Sequence, residues 1–482
     1  MENIKIPILN MLKDHQGKNP LSLHVPGHKD GDVIHPLTPT GLREAMSWDM
    51  TELTGLDDLH NPEEGIMEAE ILLSSLYQTD KSYLLVNGST VGNLAMILGI
   101  VQPGDTVLVQ KNCHKSIMNG LALASAKPIF LHPELDCEGV EIGLTDSAIE
   151  EYLQKYPETK AVILTYPNYY GMGMELEGII KAAHHLKIPV LVDEAHGAHF
   201  AAGDPFPPSA LSKGADLVVH SAHKTLPAMT MGSYLHIQGE LVSAEQVERY
   251  LRILQSSSPS YPIMLSLDLA RAYLEGYCEK DKSYLCEQLQ SLKSYLSGHK
   301  QLAIYESSKA DWHDPLKLLI CQKGNVSGYE LQARLEDVGI YPELSTERFV
   351  LLVLPLLKEG QGSFIEKLIN RLELMKWDGE TKPFSETGSF KESGISNESK
   401  HTELALSYEE MEKLNVKRLD LSHSIGEIAA ESIIPYPPGI PIIQRGERIT
   451  DEMVSACFRL MRNKVKIQGG SCLKDGQIEV FA

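Results

Sequence analysis

The chain has 482 residues, 43% of them hydrophobic, which is enough for a large core and two domains. Sixty-five Asp and Glu against 44 Lys and Arg give a formal charge of −21 with no basic run, which argues against nucleic acid and against an anionic membrane surface as partners. The seven cysteines are scattered, odd in number and form no CxxC, so neither a disulfide framework nor a zinc knuckle is expected, and a reducing compartment suits them.

The N-terminal stretch "MENIKIPILNMLKDHQ" lacks the apolar core and small-residue cleavage site of a signal peptide. Nowhere do about 18 apolar residues run together, so a cytoplasmic protein without a membrane span is expected. Short apolar runs begin at "SYLLV" (82–86) and recur as "TVLV" (106–109), "PIFL" (128–131), "AVILTY" (161–166), "PVLVD" (189–193), "DLVVH" (216–220) and "SYLHI" (233–237). Several are continuous rather than alternating, as in strands covered on both faces. Helical segments such as "SAIEEYLQKY" (147–156) and "LEGIIKAAHHL" (176–186) lie between them, which predicts an α/β fold with a mostly parallel central sheet. A long helical stretch over roughly 243–300 precedes a second α/β pattern. That pattern holds a strand at "LKLLIC" (316–321), a helix opened by Ser327 and Glu330 at capping-box spacing, and a strand at "RFVLLVL" (348–354). The domain boundary is therefore set near 305, with an N-terminal arm and major domain over 1–305 and a smaller α/β C-terminal domain over 306–482. Residues 377–402, rich in Ser, Gly, Glu and Lys, read as a flexible linker. "PYPPGIP" (435–441) is too proline-rich for a helix, and an amphipathic helix follows near 450–463.

Four polar segments follow apolar runs. "VNGSTVGN" (86–93) is a strand end, a Gly-Ser-Thr turn and a helix start. Backbone N–H groups, the helix dipole and the hydroxyls of Ser89 and Thr90 can face a phosphate there, with a plain helix cap as the competing reading. "KNCHKS" (111–116) supplies His114, a flat ring able to stack or an ordinary loop imidazole. "VLVDEAHGAH" (190–199) ends a buried strand in Asp193, where open α/β sheets bind ligands. Asp193 either holds a protonated ring nitrogen or ligates a metal together with His196 and His199. "HSAHK" (220–224) ends a further strand in Ser221, His223 and Lys224, and a desolvated lysine is a nucleophilic amine able to form a Schiff base. A phosphate cradle, a carboxylate for a pyridinium nitrogen and a Schiff-base lysine are what pyridoxal 5'-phosphate requires.

The sequence resembles the Orn/Lys/Arg decarboxylase family, which has the aminotransferase-type (fold type I) pyridoxal-phosphate fold. The matching stretches are "HVPGHKDG" (24–31), "DMTELTGLDDLHNPEEGI" (49–66), "VNGSTVGNLAMI" (86–97), "KNCHKSIMNGL" (111–121), "TYPNYYGM" (165–172), "VDEAHGAH" (192–199), "SAHKT" (221–225), "QSSSPSY" (255–261) and "AAESIIPYPPGIP" (429–441). They cover nearly the whole chain, and as an ordered set they are very specific. The likeness is to the short Gram-positive-type members, since no room is left for the N-terminal wing domain of the larger enzymes. The resemblance implies that Lys224 carries the Schiff base, Asp193 pairs with the pyridine nitrogen and His114 stacks on the ring. It implies that Ser89, Thr90, Ser221 and His223 surround the phosphate, and that His196 lies near the ring's phenolic oxygen or the substrate carboxylate. Ser256 and Ser257, in "SSSPS" (256–260), would reach the phosphate of the neighbouring subunit of a homodimer. Met231-Gly232 departs from the Gln-Ser or Gln-Ala step of many members, which bears on substrate choice and turnover.

The expected activity is decarboxylation of a basic amino acid in polyamine metabolism, arginine to agmatine first, with lysine and ornithine open. The competing readings are another fold type I activity such as an aminotransferase or aldolase, a metal-dependent hydrolase at Asp193, His196 and His199, and a non-catalytic paralogue. The hydrolase leaves Lys224 unexplained, and intact Lys224 and Asp193 stand against the paralogue. No resident metal is expected. A buried distal cation needs a carboxylate besides Asp193. Glu431, just before "PYPPGIP", is the first candidate, with Glu52, Asp57 and Asp58 behind it.

Overall fold

The structure, a computed structural model, describes residues 4–324, 326–377 and 400–482. The linker expected over 377–402 therefore lies, from 378 to 399, outside the described residues. In chain order the longer elements of the first half are α1 (Pro7–Gly17), α2 (Gly65–Tyr77), β1 (Lys81–Leu85), α3 (Gly88–Ile100), β2 (Thr106–Gln110), α4 (Lys115–Leu123), β3 (Lys127–Leu131), α5 (Asp146–Lys155), β4 (Ala161–Thr165), α6 (Glu177–His185), β5 (Val190–Asp193), β6 (Leu217–His220) and β7 (Ser233–Ile237). There follow α7 (Ala244–Leu254), α8 (Tyr261–Glu275), α9 (Glu279–Gly298), β8 (Leu302–Tyr305), β9 (Lys317–Gln322), α10 (Gly328–Asp337), β10 (Val350–Val353), β11 (His401–Glu403), β12 (Val416–Asp420), α11 (Asp451–Arg462) and β13 (Gln477–Phe481). The single helical stretch expected over 243–300 is thus three helices. It breaks at the Ser-Pro run 256–260 and again at 276–278.

The chain forms two compact units, each built from two segments: Met1–Ile100 with Pro189–Cys278, and Val101–Ile188 with Glu279–Ala482. The boundary expected near 305 falls at the end of β8, inside the second unit.

In the first unit the strand order is β1-β7-β6-β5. β7 runs antiparallel to β1 and β6, and β6 runs parallel to β5. Every residue of β5, β6 and β7 is buried, so β5 and β6 read as apolar runs up to their last residue, Asp193 and His220. α3 packs on this sheet through Val91, Ala95 and Met96. α1 and the residue pair before it are fastened to α8 by Asp268 and by Arg271, which is only 1% exposed. The guanidinium donates to Asp268 Oδ1 at 2.9 and 2.7 Å, to Glu275 and to the Lys5 carbonyl, while Asp268 Oδ2 accepts the Ile8 N–H at 3.0 Å. The buried charge is therefore fully engaged, the condition under which burial of an ion is tolerated.

In the second unit β2 lies between β4 and β3, parallel to both, and β11 closes the edge antiparallel to β3. β9 pairs antiparallel with β8 and β10 in a smaller sheet. At the C-terminal end β12 and β13 pair antiparallel, and Val454 and Cys457 of α11 share a core with Ile433, Ile443 and Ile478. Helices on mixed sheets are the α/β class expected, but the strands are less parallel than expected: β7 runs against both its neighbours, and the smaller sheet of β8, β9 and β10 is antiparallel throughout. Among the described residues no helix is long and apolar enough to cross a membrane.

Candidate active site

In the first unit the ends of β5 and β6 and the start of α3 gather most of the candidate residues. Asp193 closes β5 and is 4% exposed. Its Oδ2 accepts from Asn93 Nδ2 at 2.8 Å and its Oδ1 from the Ala195 N–H at 3.2 Å, so both oxygens are held in place. β6 ends at His220, and a single helical turn, Ala222–Thr225, then carries Lys224. Lys224 Nζ lies 3.1 Å from His196 Nε2, a distance at which a proton can pass between amine and imidazole. The Ser221 hydroxyl donates to Ser89 Oγ at 2.8 Å on the first turn of α3, where backbone N–H groups are unpaired within the helix. Thr90, on the same turn, is exposed.

The Met231-Gly232 step ties these turns together. The Met231 carbonyl accepts the Gly88 N–H at 2.9 Å, and the Gly232 carbonyl accepts from His223 N–H at 3.2 Å and from His223 Nδ1 at 2.9 Å. Burial, followed by Lys224, holds His223 below the ordinary imidazole range, against the pull of the Gly232 carbonyl. Since a carbonyl can only accept, His223 carries a proton on Nδ1. Met231 itself has φ +78°, in the left-handed region. Met231→Gly is expected to stabilise the fold by about 1 kcal/mol, because a Cβ is disfavoured there. A melting temperature unchanged or lowered would contradict this.

The stretch 256–260 adjoins the same turn of its own chain, since the Ser256 N–H donates to Asn87 Oδ1 at 3.1 Å. Ser256 and Ser257 are exposed. His60 Nε2 lies 2.8 Å from the Ser256 carbonyl, and the Tyr261 hydroxyl donates to the Asp57 carbonyl, so the motif at 49–66 meets this stretch. The Asp57 carboxylate is 5% exposed and accepts N–H groups from Asp58, Glu63, Glu64, Ile66 and Met67, the last two in the first turn of α2. It caps that helix. Glu52 accepts from the Thr51 hydroxyl at 2.6 Å, and Asp58 Oδ1 accepts the His60 N–H at 2.8 Å.

In the second unit His114 caps α4: its Nδ1 accepts the Ser116 N–H at 3.2 Å and lies 2.8 Å from the Ser116 hydroxyl. The Gly439 carbonyl of "PYPPGIP" accepts the Lys115 N–H at 3.0 Å. At φ +91° a Cβ on Gly439 would come within 2.9 Å of the His114 ring, so only glycine allows this approach. Glu431 Oε2 accepts the Ser471 N–H at 3.2 Å and Oε1 the Glu479 N–H at 3.0 Å.

His199 is fully buried with its ring edge-on to Phe200 and Phe206, 4.8 Å from each. Among the described residues no group of three or more His, Cys, Asp or Glu could hold a metal. An amine beside an imidazole, a held and buried carboxylate, and paired hydroxyls at a helix start fit pyridoxal phosphate instead. Sequence reasoning missed Asn93 and Glu194. Asn93 is a lone polar residue at the head of an apolar helical run, whereas Glu194 sits in the polar cluster that follows Asp193, and those were the signals available.

Two family models match: Orn/Lys/Arg decarboxylase, major domain, over residues 6–304, and Orn/Lys/Arg decarboxylase, C-terminal domain, over 391–467. The uncharacterized protein YaaO of Bacillus subtilis (strain 168) is 44% identical over 479 residues, covering 98% of each chain. Arginine decarboxylase of the same organism is 32% identical, covering 97% of this chain and 96% of its own. Among solved structures, lysine decarboxylase LdcF of Francisella novicida superposes with a TM-score of 0.80 at 20% identity, over 99% of this chain and 81% of that one.

Proposed function

The chain belongs to the Orn/Lys/Arg decarboxylase family and is a pyridoxal-phosphate-dependent amino acid decarboxylase, and from that premise we propose that it converts arginine and a proton to agmatine and carbon dioxide. The observation that carries the site is the Lys224 amine 3.1 Å from His196, on segments that also bear the buried Asp193 carboxylate. Arginine is preferred because the relative named for it is 32% identical along nearly its whole length. The neighbour named for lysine is 20% identical, a level that speaks for the fold alone.

When bound, pyridoxal phosphate supplies a sink for the electron pair left at Cα as the carboxylate departs. Lys224 is the amine that holds the cofactor covalently. Asp193, kept in place by Asn93 and Ala195, holds a proton on the ring nitrogen. Ser89, Ser221 and the first N–H groups of α3 bind the phosphate, with Thr90 and His223 beside them. In the second unit the Nδ1 bonds of His114 to Ser116 fix the rotation of its own ring. His196 and Lys224, within hydrogen-bond reach, pass the proton that replaces the carboxylate.

The distal cation is assigned to Glu52 and Asp58. Asp57 and Glu431 already give both oxygens to backbone N–H groups, whereas Glu52 and Asp58 each give one to a neighbour. Glu52→Gln or Asp58→Asn should raise KM for arginine and cost kcat/KM about 10²-fold, with cofactor absorbance unchanged. Glu431→Gln should lower Tm and leave KM alone. The opposite split would return the recognition role to Glu431.

A homodimer is the smallest active unit on this reading. Leu21, Leu23 and Leu37, each more than 80% exposed on the N-terminal arm, are apolar surface for a second copy to cover. Ser256 and Ser257 reach the partner's phosphate. Mixing Lys224→Ala subunits with subunits altered across Ser256–Ser258 should recover activity, whereas no recovery would mean that each chain completes its own site. Among the described residues no disulfide forms, which suits the reducing cytoplasm and a place in polyamine metabolism. The test of the substrate is kcat/KM of the holoenzyme for arginine, lysine and ornithine, with the amines identified by mass spectrometry. Arginine should lead by at least about tenfold, roughly 1.4 kcal/mol of barrier, and a lead for either diamine precursor would overturn the assignment.

A further inference from the structure

We propose that Glu194 is a positioning residue for the reaction: its carboxylate fastens the end of β5 to the end of β6 and so sets Asp193 and His196 against Lys224. The proposal rests on the roles given above to those residues. Glu194 is fully buried. Its Oε2 accepts from the Ser209 hydroxyl at 2.6 Å and from His220 Nε2 at 2.6 Å, and its Oε1 accepts the Ala210 N–H at 2.9 Å. A Cβ on Gly197 would come within 2.6 Å of Glu194 Cγ, so glycine at 197 leaves room for this side chain.

The chain of bonds continues inward. His220 Nδ1 lies 3.0 Å from His236 Nε2, His236 Nδ1 lies 2.7 Å from Ser82 Oγ, and Ser82 Oγ lies 2.8 Å from Thr79 Oγ1. One tautomer set satisfies every member, with each hydroxyl and each Nε2–H donating toward Glu194. Burial, then His220, holds His236 well below the ordinary imidazole range, which keeps it neutral as this set requires. The Tyr77 ring packs over both imidazoles, its centroid 5.0 and 4.4 Å from theirs. A buried carboxylate is expensive unless its bonds are complete, so this network holds its geometry tightly.

That geometry bears on the site because of where the network is anchored. Asp193 and Glu194 are neighbours whose carboxylates point to different segments, Asp193 to Asn93 and Glu194 to Ser209, Ala210 and His220. His196, two residues on, meets Lys224, and Ser221, next to His220, meets Ser89. One carboxylate thus holds the segment with Asp193 and His196 to the segment with Ser221 and Lys224. An amide at 194 has one acceptor oxygen, so it cannot keep all three donors.

The test compares Glu194→Gln with Ser82→Ala, which trims the network beyond the two histidines, in the holoenzyme. A misplacement of about 1 Å can cost up to about 10²-fold, so Glu194→Gln should lower kcat by about 10- to 10²-fold, with KM within about twofold and the cofactor dissociation constant raised about tenfold. Ser82→Ala should lower Tm and leave kcat and cofactor dissociation unchanged. The proposal is overturned by a Glu194→Gln enzyme with reduced Tm but unchanged kcat and cofactor dissociation per folded molecule. It is equally overturned if Ser82→Ala reproduces the whole loss. Should Glu194→Gln not fold, Ser209→Ala removes one of the three bonds. It should weaken the cofactor several-fold, and unchanged cofactor binding would overturn the role. Borohydride trapping in the unmutated enzyme tests the underlying roles separately, because an adduct away from Lys224 would remove those roles without any variant at 194.

Discussion

Lys224→Ala is expected to abolish turnover, by at least about 10³-fold or roughly 4 kcal/mol of barrier, while leaving the fold intact. In the proposed mechanism the amine, 3.1 Å from His196, would hold the cofactor covalently and move a proton. Alanine removes both functions at once. The surrounding bonds do not need the amine: Ser221 still meets Ser89, and His223 still donates to the Gly232 carbonyl. Removing a half-buried side chain from a short turn whose backbone bonds remain should therefore cost little Tm. Borohydride reduction of the unmutated holoenzyme should place the cofactor's mass on the peptide containing Lys224, and the Lys224→Ala enzyme should take up no such mass. An adduct on another lysine, or turnover by Lys224→Ala within tenfold of the unmutated enzyme, would remove the mechanism proposed here.

Asp193→Asn is expected to fold and to bind the cofactor but to lose about 10²-fold or more in kcat, about 2.7 kcal/mol. In the proposed mechanism the charge of Asp193 would keep a proton on the ring nitrogen, which a neutral amide cannot do. The structure adds a second cost. The carboxylate accepts at both oxygens, from Asn93 and from the Ala195 N–H, and an amide has a single oxygen. One buried donor is left without its acceptor, so stability should fall by about 1–3 kcal/mol as well. The two effects separate in measurement, because the lost stability appears in Tm and the lost charge in kcat of the folded holoenzyme. Near-normal turnover by Asp193→Asn would show that the charge is not used.

The buried strands were legible because they are covered on both faces, so "VLVD" and "LVVH" are continuous apolar runs with no competing helical period. β11, three residues of "HTE" at a sheet edge, carries no such signal. α1 was equally silent, since part of its anchoring comes from Arg271, some 260 residues away in the chain. The helix expected across 256–260 failed where three serines and a proline compete with helix formation. Of the candidate site, the polar residues that end buried strands stood out, because chemistry-bearing side chains are unusual there. Asn93 and Glu194 did not, because residue type alone does not say which way a buried amide or carboxylate points. Asp57 and Glu431 were candidates for the distal cation by residue type and place in the motifs. Their partners, the N–H groups of Ile66 and Glu479 among them, are supplied by chain folding that no local pattern announces.

The competing activities on this fold differ in which bond at Cα breaks, and one measurement reads that bond. Holoenzyme incubated with arginine labelled with 13C at the carboxyl carbon should release labelled carbon dioxide and unlabelled agmatine in equal amounts. Formation of a labelled 2-oxo acid, or arginine recovered unchanged by enzyme whose cofactor is fully bound, would contradict decarboxylation of arginine as the activity of this protein.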